Sequence, residues 1–332
     1  MRAPEFWHAA PTGLNGLVAG LLTPVGAALD AAGRLRRAVA HPYRAPAPVI
    51  CVGNLIAGGS GKTPVALSLA AILAECGTET AIVMRGYGGN LAGPMPVDPR
   101  VHDAMAVGDE ALLAAPQTTC WVARDRAAGV RAAVAAGAQA VILDDGFQNP
   151  TVAKDLSLVV VDAAYGFGNR RLIPAGPLRE RIAAGLARAN AVVLLGDGEF
   201  AISGQRILRA NLWPVDGDRF AGAPIIAFAG IGRPEKFFAS LRQLGAGVVN
   251  EHGFPDHHRY RPHELAALRD EATRAGARLV TTRKDWVRLP AEERQDIDVL
   301  DVELGWRDRA ALDALLAPLR AQIANAGRVA TG

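Results

Sequence analysis

The sequence predicts an α/β protein in which a mostly parallel β-sheet forms the first domain and a second, smaller α/β domain follows. Short apolar runs rich in β-branched residues alternate with alanine-rich runs of helical length, and this alternation is typical of βαβ units. A glycine-rich turn joins one apolar run directly to a helical run. The 332 residues exceed one typical domain, and 50% of them are hydrophobic, which is enough for two cores.

The first predicted element is a helix in residues 1–40 with an apolar stripe at helical spacing, formed by Leu14, Leu17, Val18, Leu21, Leu22, Val25 and Leu29. Its uninterrupted apolar part, residues 16–29, is shorter than the ~20 residues that cross a bilayer, and Pro24 would kink it. Aromatic residues precede the stripe and arginines follow it, namely Phe6, Trp7, Arg34, Arg36 and Arg37. We therefore predict a helix that contacts the membrane interface, with a helix packed on its own domain as the alternative.

Residues 41–204 form the predicted first domain. Runs typical of strands lie at 49–52, 80–84, 120–122, 140–143, 158–161 and 191–195. Runs typical of helices lie at 63–76, 110–115, 125–136 and 179–188. Because strands and helices alternate, we expect parallel strands joined by right-handed crossovers.

Residues 205–223 are interpreted as a linker because they end in a turn-rich stretch that interrupts the alternation. The pattern restarts with a strand at 225–228, continues with a helix near 235–244 and extends to residue 300. Residues 224–332 are therefore predicted to form the second α/β domain.

Composition disfavours several classes of function. The formal net charge is only +3 and aromatic residues make up 5%, so the basic surface with stacking side chains that binds nucleic acid is not expected. The cysteines Cys51, Cys76 and Cys120 are isolated, which argues against a zinc site and against a disulfide framework. No signature of an obligate protein partner is found in the sequence.

The most informative motif is the run Gly58-Gly59-Ser60-Gly61-Lys62-Thr63, which lies between a predicted strand and a predicted helix. The backbone N–H groups of such a loop surround a polyphosphate, and the following helix adds its positive N-terminal end. Lys62 would reach the β- and γ-phosphates, and Thr63 would bind magnesium through its hydroxyl. The motif predicts a P-loop NTPase-like domain that binds ATP or GTP.

This phosphate loop departs from the strict pattern in one position. The pattern requires glycine at position 56, where this chain has Ile56, and the nearest earlier glycine is Gly53. A glycine-rich turn without nucleotide is the alternative interpretation. The strand, the Lys-Thr pair and the helix that follows favour the nucleotide site.

Two carboxylates end the predicted strand at 140–143. In a nucleotide-binding sheet, Asp144 and Asp145 would lie beside the phosphate loop, as in a Walker B element. We predict Asp145 as the magnesium ligand, directly or through water, with Asp144 sharing that role or orienting a neighbour. The alternative is an aspartate pair that caps the next turn.

A second pair of carboxylates, Asp109 and Glu110, follows Gly108 at the start of a predicted helix. Helix capping would be a sufficient explanation for an aspartate at this position. A base is required if a hydroxyl accepts the phosphoryl group, because that hydroxyl must lose its proton. An aspartate can take this role.

Several ordered motifs resemble those of the tetraacyldisaccharide 4′-kinase family, the lipid A 4′-kinases of Gram-negative bacteria. In addition to the phosphate loop with Val52-Gly53-Asn54-Leu55 and Pro64, these are Arg85-Gly86-Tyr87, Gly108-Asp109-Glu110, Asp144-Asp145-Gly146-Phe147-Gln148, Pro174-Ala175-Gly176-Pro177-Leu178-Arg179-Glu180, Asp256-His257 and Thr282-Arg283-Lys284-Asp285. The resemblance runs from the N-terminal helix to about Leu289. Departures are Met84 where the family usually has Ser, Ala111 where it has Pro, and Asn149 where it commonly has His.

The resemblance implies the reaction. It implies transfer of the γ-phosphate of ATP, with Mg²⁺, to the 4′-hydroxyl of an acylated glucosamine disaccharide 1-phosphate. The product would be lipid IVA, made at the cytoplasmic face of the bacterial inner membrane by a peripheral or monotopic enzyme.

The resemblance also implies roles for individual residues. Asp109 would be the catalytic base, and His257 would assist it. Glu110 is a weaker candidate, either for magnesium or for a structural role. Arg85, Arg126 and Arg179 follow predicted strands or belong to family motifs and are candidates for contacts with the anionic substrate, with solvent-exposed turns or helices as the alternative.

Two alternative functions stay open at this point. One is a membrane-associated P-loop ATPase switch that acts on a protein partner, and it would need a group that positions water. The other is a soluble small-molecule kinase. For Lys284 and Asp285, the ordinary explanation is a surface or interdomain pair.

Overall fold

The computed structural model describes residues 4–7, 12–200 and 202–330. The strands in these residues are β1 (Val49–Gly53), β2 (Thr80–Met84), β3 (Met95–Pro96), β4 (Thr119–Val122), β5 (Ala140–Asp144), β6 (Leu156–Asp162), β7 (Ala191–Leu195), β8 (Ile207–Val215), β9 (Pro224–Ala229), β10 (Gly247–Gly253), β11 (Arg278–Thr282) and β12 (Ile297–Trp306).

The α-helices are α1 (Gly13–Ala38), α2 (Lys62–Ala74), α3 (Ala104–Val107), α4 (Asp109–Ala114), α5 (Arg126–Ala135), α6 (Ile182–Leu186), α7 (Pro234–Gln243), α8 (Pro262–Ala275), α9 (Arg283–Trp286) and α10 (Arg309–Ala330). Short 3-10 helices lie at Glu5–Trp7, Gly217–Phe220 and Ala291–Glu293.

All twelve of these strands belong to one sheet, in the order β10-β9-β11-β12-β8-β7-β6-β1-β5-β2-β4-β3. Neighbouring strands are parallel except at two places, where β3 meets β4 and where β8 meets β12. Strands β1, β2, β5, β6 and β7 are buried along their whole length, as parallel strands covered on both faces are. The predicted α/β fold with a large, mostly parallel sheet is confirmed.

The predicted linker contains a strand of this sheet. Within residues 205–223, β8 pairs in parallel with β7 and in antiparallel with β12. The sheet therefore continues through this region, although its strand direction changes there. The buried residues of β9 and α7 form a hydrophobic cluster separate from those around β1. A division at 205–223 into two domains remains a proposal, which these separate clusters support.

The C-terminal helix α10 returns to the first half of the chain. Its residues Leu312, Leu316 and Leu319 are buried in the same cluster as Val65 and Leu69 of α2. The second half of the chain consequently contributes to the hydrophobic core around the phosphate loop, in addition to forming the separate cluster around β9 and α7.

Helix α1 places small residues toward the protein. Ala19, Gly26 and Asp30 are buried, and a Cβ on Gly26 would lie only 3.0 Å from Leu172 Cβ, so the helix approaches this segment closely. The large apolar side chains are exposed instead, namely Leu14, Leu17, Leu21, Val25, Leu29 and Leu35. An unpartnered apolar face on a surface helix is typical of contact with lipid or protein.

The length of α1 differs from the prediction. The helix has 26 residues and continues on both sides of the apolar part at 16–29, so by length and composition it could cross a membrane. The apolar length taken from residues 16–29 was an underestimate. The glycine and alanine residues around the leucines, together with Pro24, are all accommodated in one helix.

Candidate active site

The phosphate loop lies where β1 ends and α2 begins. Gly61, the residue before α2, has a φ of +79°, and a Cβ there would lie 2.2 Å from Leu195 Cδ2, so glycine is required. A Cβ on Gly58 or Gly59 would meet no atom within 4 Å. The backbone of these two residues therefore borders open space, as a loop that receives a polyphosphate needs.

The position of Ile56 explains why the strict pattern is not needed here. Ile56 is buried and forms an antiparallel bridge with Leu178. Ala57 N donates to Pro177 O at 2.8 Å, and Arg179 N donates to Leu55 O at 2.8 Å. The start of the loop is therefore held by pairing with residues 177–179 rather than by a tight glycine turn.

Asp144, at the end of β5, contacts the first turn of α2. Thr63 Oγ1 donates to Asp144 Oδ2 at 2.7 Å, and Asp144 Oδ1 is buried without a hydrogen-bond partner among the described residues. Burial, followed by the nearby charge of Glu110, raises the pKa of Asp144 to about 7. A divalent cation would satisfy the unpaired oxygen and favour the ionised carboxylate, so Asp144 and Thr63 fit a magnesium site.

A site with a single unpaired carboxylate oxygen also agrees with the number of protein ligands that Mg²⁺ usually takes. The described residues contain no cluster of three or more His, Cys, Asp or Glu side chains arranged around a metal. Mg²⁺ typically takes only one or two protein carboxylates and completes its shell with water and substrate phosphates.

Asp145 has a different environment, although it is the next residue. Arg179 donates two hydrogen bonds to its carboxylate, at 2.8 and 3.2 Å, and Lys62 Nζ lies 3.8 Å from Oδ1. Burial opposes ionisation, but Lys62 and Arg179 outweigh it and hold the pKa of Asp145 below its ordinary value. Asp145 also has a φ of +53°, which a non-glycine residue rarely adopts.

Asp109 and His257 are 148 residues apart in the chain and in contact in the structure. His257 Nδ1 lies 3.0 Å from Asp109 Oδ2. Asp109 is the first residue of α4, so it is not the N-cap, and it is buried. His257 has a φ of +58°, and its ring centroid lies 5.2 Å from that of Tyr87.

Two cations from α9 and the residues after it complete this cluster. Arg288 Nε donates to Asp109 Oδ2 at 2.7 Å, and a second guanidinium nitrogen contacts the same oxygen. Lys284 Nζ lies 3.3 Å from Glu110 Oε1 and 3.9 Å from Asp109 Oδ2. Although burial opposes ionisation, His257, Lys284 and Arg288 hold the pKa of Asp109 well below its usual range. Because the ionised carboxylate only accepts, His257 Nδ1 donates to it.

Arg288 was missed by sequence analysis. A single arginine four residues after Lys284 carries no motif of its own, so only its spacing along a short helix could have indicated it. Asp285 is fully buried and accepts from Arg288, Tyr260 and Gly230 N. Lys284 reaches Glu110 in the first half of the chain, whereas these partners of Asp285 all lie within residues 224–332. The alternative of an exposed surface pair is therefore wrong.

Comparison with known proteins gives a family. A family model described as LpxK, Tetraacyldisaccharide-1-P 4′-kinase, matches residues 18–320. The chain belongs to this family. The proteins named tetraacyldisaccharide 4′-kinase from Rhodospirillum centenum and Rhodospirillum rubrum are 53% and 50% identical to it, over 96% and 95% of this chain and 97% of each relative.

A solved structure supports the LpxK fold over nearly the whole chain. It is a crystal structure of the "apo" form of LpxK from Aquifex aeolicus in complex with ATP, with 26% identity and a TM-score of 0.75. The match covers 91% of this chain and 99% of the other. The predicted family and the prediction of a kinase are confirmed.

The three arginines predicted for substrate lie at different depths in this LpxK family member. Arg179 contacts Asp145, as described above. Arg126 is buried at the start of α5, donates to Ala123 O at 2.5 Å and has a pKa lowered to about 10 by burial. Its Nε has no hydrogen-bond partner among the described residues. Arg85 is exposed at the end of β2.

A helix is predicted at 179–188, and the predicted start of this helix is wrong. α6 begins at Ile182, because residues 177–179 pair with the phosphate loop instead. Glu180 is 1% exposed and accepts from Gln148 and Arg188, with Arg37 of α1 at 3.5 Å. The alternative of an exposed helical pair at Arg179 and Glu180 is therefore wrong as well.

The three departures from the family motifs, Met84, Ala111 and Asn149, lie in the hydrophobic core or in a turn. None of them belongs to the charged cluster around Asp109. Met84 and Ala111 are both buried in the hydrophobic core around β1. Asn149 accepts hydrogen bonds from the backbone N and the hydroxyl of Thr151, both at 2.8 Å.

Proposed function

We propose that this chain transfers the γ-phosphate of ATP to the 4′-hydroxyl of an acylated glucosamine disaccharide 1-phosphate, giving lipid IVA. The observation that carries the proposal is the Asp109–His257 pair beside the phosphate loop. A Cβ on Gly232 would lie 3.6 Å from Asp256 Oδ2 and 3.9 Å from Gly59 N, so the segment before His257 and the loop face each other across one glycine. A hydroxyl held between them would meet both a base and a phosphoryl group.

The phosphate loop and its neighbours bind the nucleotide in this proposal. The backbone of Gly58, Gly59, Ser60 and Gly61 surrounds the phosphates, and Lys62 balances their charge. Thr63 and Asp144 hold Mg²⁺, with Asp145 and Glu110 in its surroundings. When bound there, the ion would neutralise the charge that develops during transfer.

Asp144 is the preferred direct ligand, although the sequence favours Asp145. The reason is that both oxygens of Asp145 are already paired with Arg179. Asp145 is instead placed to hold Lys62 and Arg179 near the phosphates.

The Asp109–His257 pair accepts the hydroxyl proton. As the hydroxyl oxygen bonds to phosphorus and the bond from phosphorus to the leaving ADP oxygen breaks, the proton passes to the pair. Asp109 stays ionised and keeps the imidazole oriented through Nδ1, which is the arrangement that makes a histidine an effective base. A positioned base of this kind contributes about 10²- to 10⁴-fold in rate.

Contact with the cytoplasmic face of the inner membrane follows from the acylated substrate and from α1. The exposed apolar side chains of α1 would enter the lipid, and Phe6, Trp7 and the arginines after residue 33 would lie near the headgroups. Arg85, Arg126 and Arg179 are proposed to contact the anionic lipid. An ATPase switch is not favoured, because the family relation and the Asp109–His257 pair both favour transfer to a hydroxyl.

The test is transfer of labelled γ-phosphate from ATP and Mg²⁺ to tetraacyldisaccharide 1-phosphate in mixed micelles. We expect labelled lipid from the intact chain and losses of at least about 10²-fold for Lys62→Ala and Asp109→Ala. Asp270→Ala is the control, since Asp270 is exposed on α8. Hydrolysis of ATP without labelled lipid would contradict the proposal and favour the switch.

A further inference from the structure

A groove of about 330 Å³ lies between α1 and the segment that joins β6 to α6. Three arginines line it, Arg170, Arg171 and Arg181, and none of the described residues that line it is acidic. Thr23 and Ala27 of α1 form one wall, and aliphatic side chains form much of the rest. This volume is at the lower end of the range for small-molecule sites.

The arginines carry more positive charge than their partners neutralise. The Arg171 guanidinium donates to the hydroxyl of Thr23, at 3.1 Å, and has no carboxylate partner among the described residues. Arg181 lies 3.3 Å from Asp30, but that single carboxylate is shared with Arg34, also at 3.3 Å. Arg170 is exposed and has a φ of +60°. A non-glycine residue in this conformation is often found at ligand sites.

The chemistry of the groove fits a phosphate that carries acyl chains. Guanidinium groups bind phosphate with two parallel hydrogen bonds, which an aliphatic wall strengthens by excluding water. On α1, Thr23 and Ala27 are four residues apart and share one face, and Leu172, Leu178 and Ile182 line the groove beside them, so the phosphate would lie next to aliphatic surface. Trp7 Nε1 donates to Pro174 O at 3.1 Å and places an indole beside this segment.

The groove shares a wall with the catalytic centre. Leu178 lines the groove, and its neighbours Pro177 and Arg179 make the backbone hydrogen bonds to the start of the phosphate loop. Arg179 also binds Asp145. A ligand in the groove therefore lies a few residues from the site of phosphoryl transfer, on the side where α1 packs.

We propose that Arg170, Arg171 and Arg181 bind the 1-phosphate of the acceptor lipid, at the end of the disaccharide opposite the hydroxyl that is phosphorylated. This inference rests on the function proposed above. Continuity with the catalytic centre favours the acceptor over a bilayer phospholipid, because a phospholipid has no reason to be held beside the phosphate loop.

The experiment compares two acceptors, the tetraacyldisaccharide with and without its 1-phosphate, for the intact chain and for the double variant Arg170→Ala with Arg171→Ala. For the phosphorylated acceptor, we expect the KM to rise by about 10- to 100-fold, the size of a lost charge-assisted contact, with kcat within about threefold. For the acceptor without the 1-phosphate, the intact chain and the variant have the same KM. Arg171→Lys, which keeps the charge and loses the paired geometry, gives an intermediate KM.

Arg36→Ala is the matched control, because it removes a charge from α1 outside the groove. We expect it to act equally on the two acceptors. An equal rise of KM for both acceptors in the double variant would overturn the proposal. A rise that depends on the anionic phospholipid content of the micelles, and not on the 1-phosphate, would also overturn it and assign the groove to phospholipid.

A direct measurement of lipid binding tests the role of the groove independently of the proposed kinase activity. Equilibrium retention of each radiolabelled lipid by the folded protein in detergent needs no turnover. If the intact chain phosphorylates neither lipid, the proposed function is wrong. The groove assignment then stands only if the phosphorylated lipid is bound more tightly and the double variant removes that difference.

Discussion

At the scale of single residues, the carboxylate of Asp109 has an unusual set of neighbours. One oxygen accepts from His257 and from two nitrogens of Arg288, with Lys284 at 3.9 Å. A buried carboxylate in such surroundings stays ionised, and removing a cation leaves a buried charge uncompensated. The cations are therefore positioning residues for the pair that accepts the proton.

The first prediction concerns Arg288→Leu. Arg288 lowers the pKa of Asp109, so its removal raises that pKa. Because the Asp109–His257 pair must be free to accept the hydroxyl proton, and loss of the Arg288 charge favours the protonated pair, the acidic limb of the pH profile of kcat/KM moves to higher pH. Arg288→Lys restores part of the shift. The control is Arg242→Leu, which removes an exposed pair with Glu251. A profile that does not move would show that Arg288 has no electrostatic effect on the base.

The second prediction concerns Asp144 in the protein without nucleotide and metal. Its pKa is raised to about 7 in the folded state, against 3.8 for the ordinary carboxyl. Between these values the folded protein binds the extra proton, so the free energy of unfolding falls as pH rises, by up to about 1.4 kcal/mol per pH unit.

Urea unfolding between pH 5 and pH 7 measures this slope. Asp144→Asn should remove it, because the amide does not titrate, and the exposed Asp270→Asn should leave it unchanged. An identical slope in the intact protein and in Asp144→Asn would contradict the raised pKa.

At the scale of elements, α1 has its small residues inside and its large apolar residues outside. Burial of Gly26 against Leu172 permits a close approach to the protein, while the leucines remain exposed. In water this orientation leaves apolar area uncovered, so the helix gains free energy when lipid covers that face.

The third prediction is that Leu17→Gln with Leu21→Gln weakens binding to vesicles. Each leucine that no longer enters the lipid removes about 1.5–3 kcal/mol, so the two together lower partitioning by at least about 10²-fold. Sedimentation with vesicles that contain anionic lipid measures the effect. Val101→Gln is the control, because Val101 is exposed elsewhere on the molecule. Equal loss in both variants would contradict a specific role of α1.

At the scale of the whole molecule, one continuous sheet holds two halves that meet at the active site. Asp109 belongs to the first half and is the first residue of α4, whereas His257 follows β10 and Arg288 follows α9 in the second half. Catalysis then depends on the relative position of the two halves. A change in that position on binding of substrates would be the usual way to exclude water during phosphoryl transfer.

The fourth prediction is that Asp109→Asn and His257→Gln are not additive. If the two residues act as one base, each single variant loses about 10²- to 10⁴-fold in kcat, and the double variant loses little more than the worse single one. The control cycle is His252→Gln with Glu271→Gln, a half-buried pair at 2.9 Å in the second half of the chain. Multiplicative losses would show that Asp109 and His257 act independently.

Much of the fold was predictable from local pattern. The strands at 49–52, 80–84 and 191–195 are apolar and β-branched, and burial on both faces requires such residues. The start of the helix predicted at 179–188 was not predictable, because residues 177–179 pair with the phosphate loop, and tertiary hydrogen bonds override a weak helical preference. The length of α1 was misjudged because glycine and alanine are weak indicators of where a helix ends.

The phosphate loop, the aspartates after β5 and the family could be predicted from the residues alone, because these depend on residue types at short spacings along the chain. Three features required the folded structure: the contact of Arg288 with Asp109, the unpaired oxygen on Asp144 rather than Asp145, and the three arginines that line one groove beside α1. The physical reason is that charge, burial and hydrogen bonding depend on distances in space. Those distances join residues up to 179 positions apart, for which no local pattern exists.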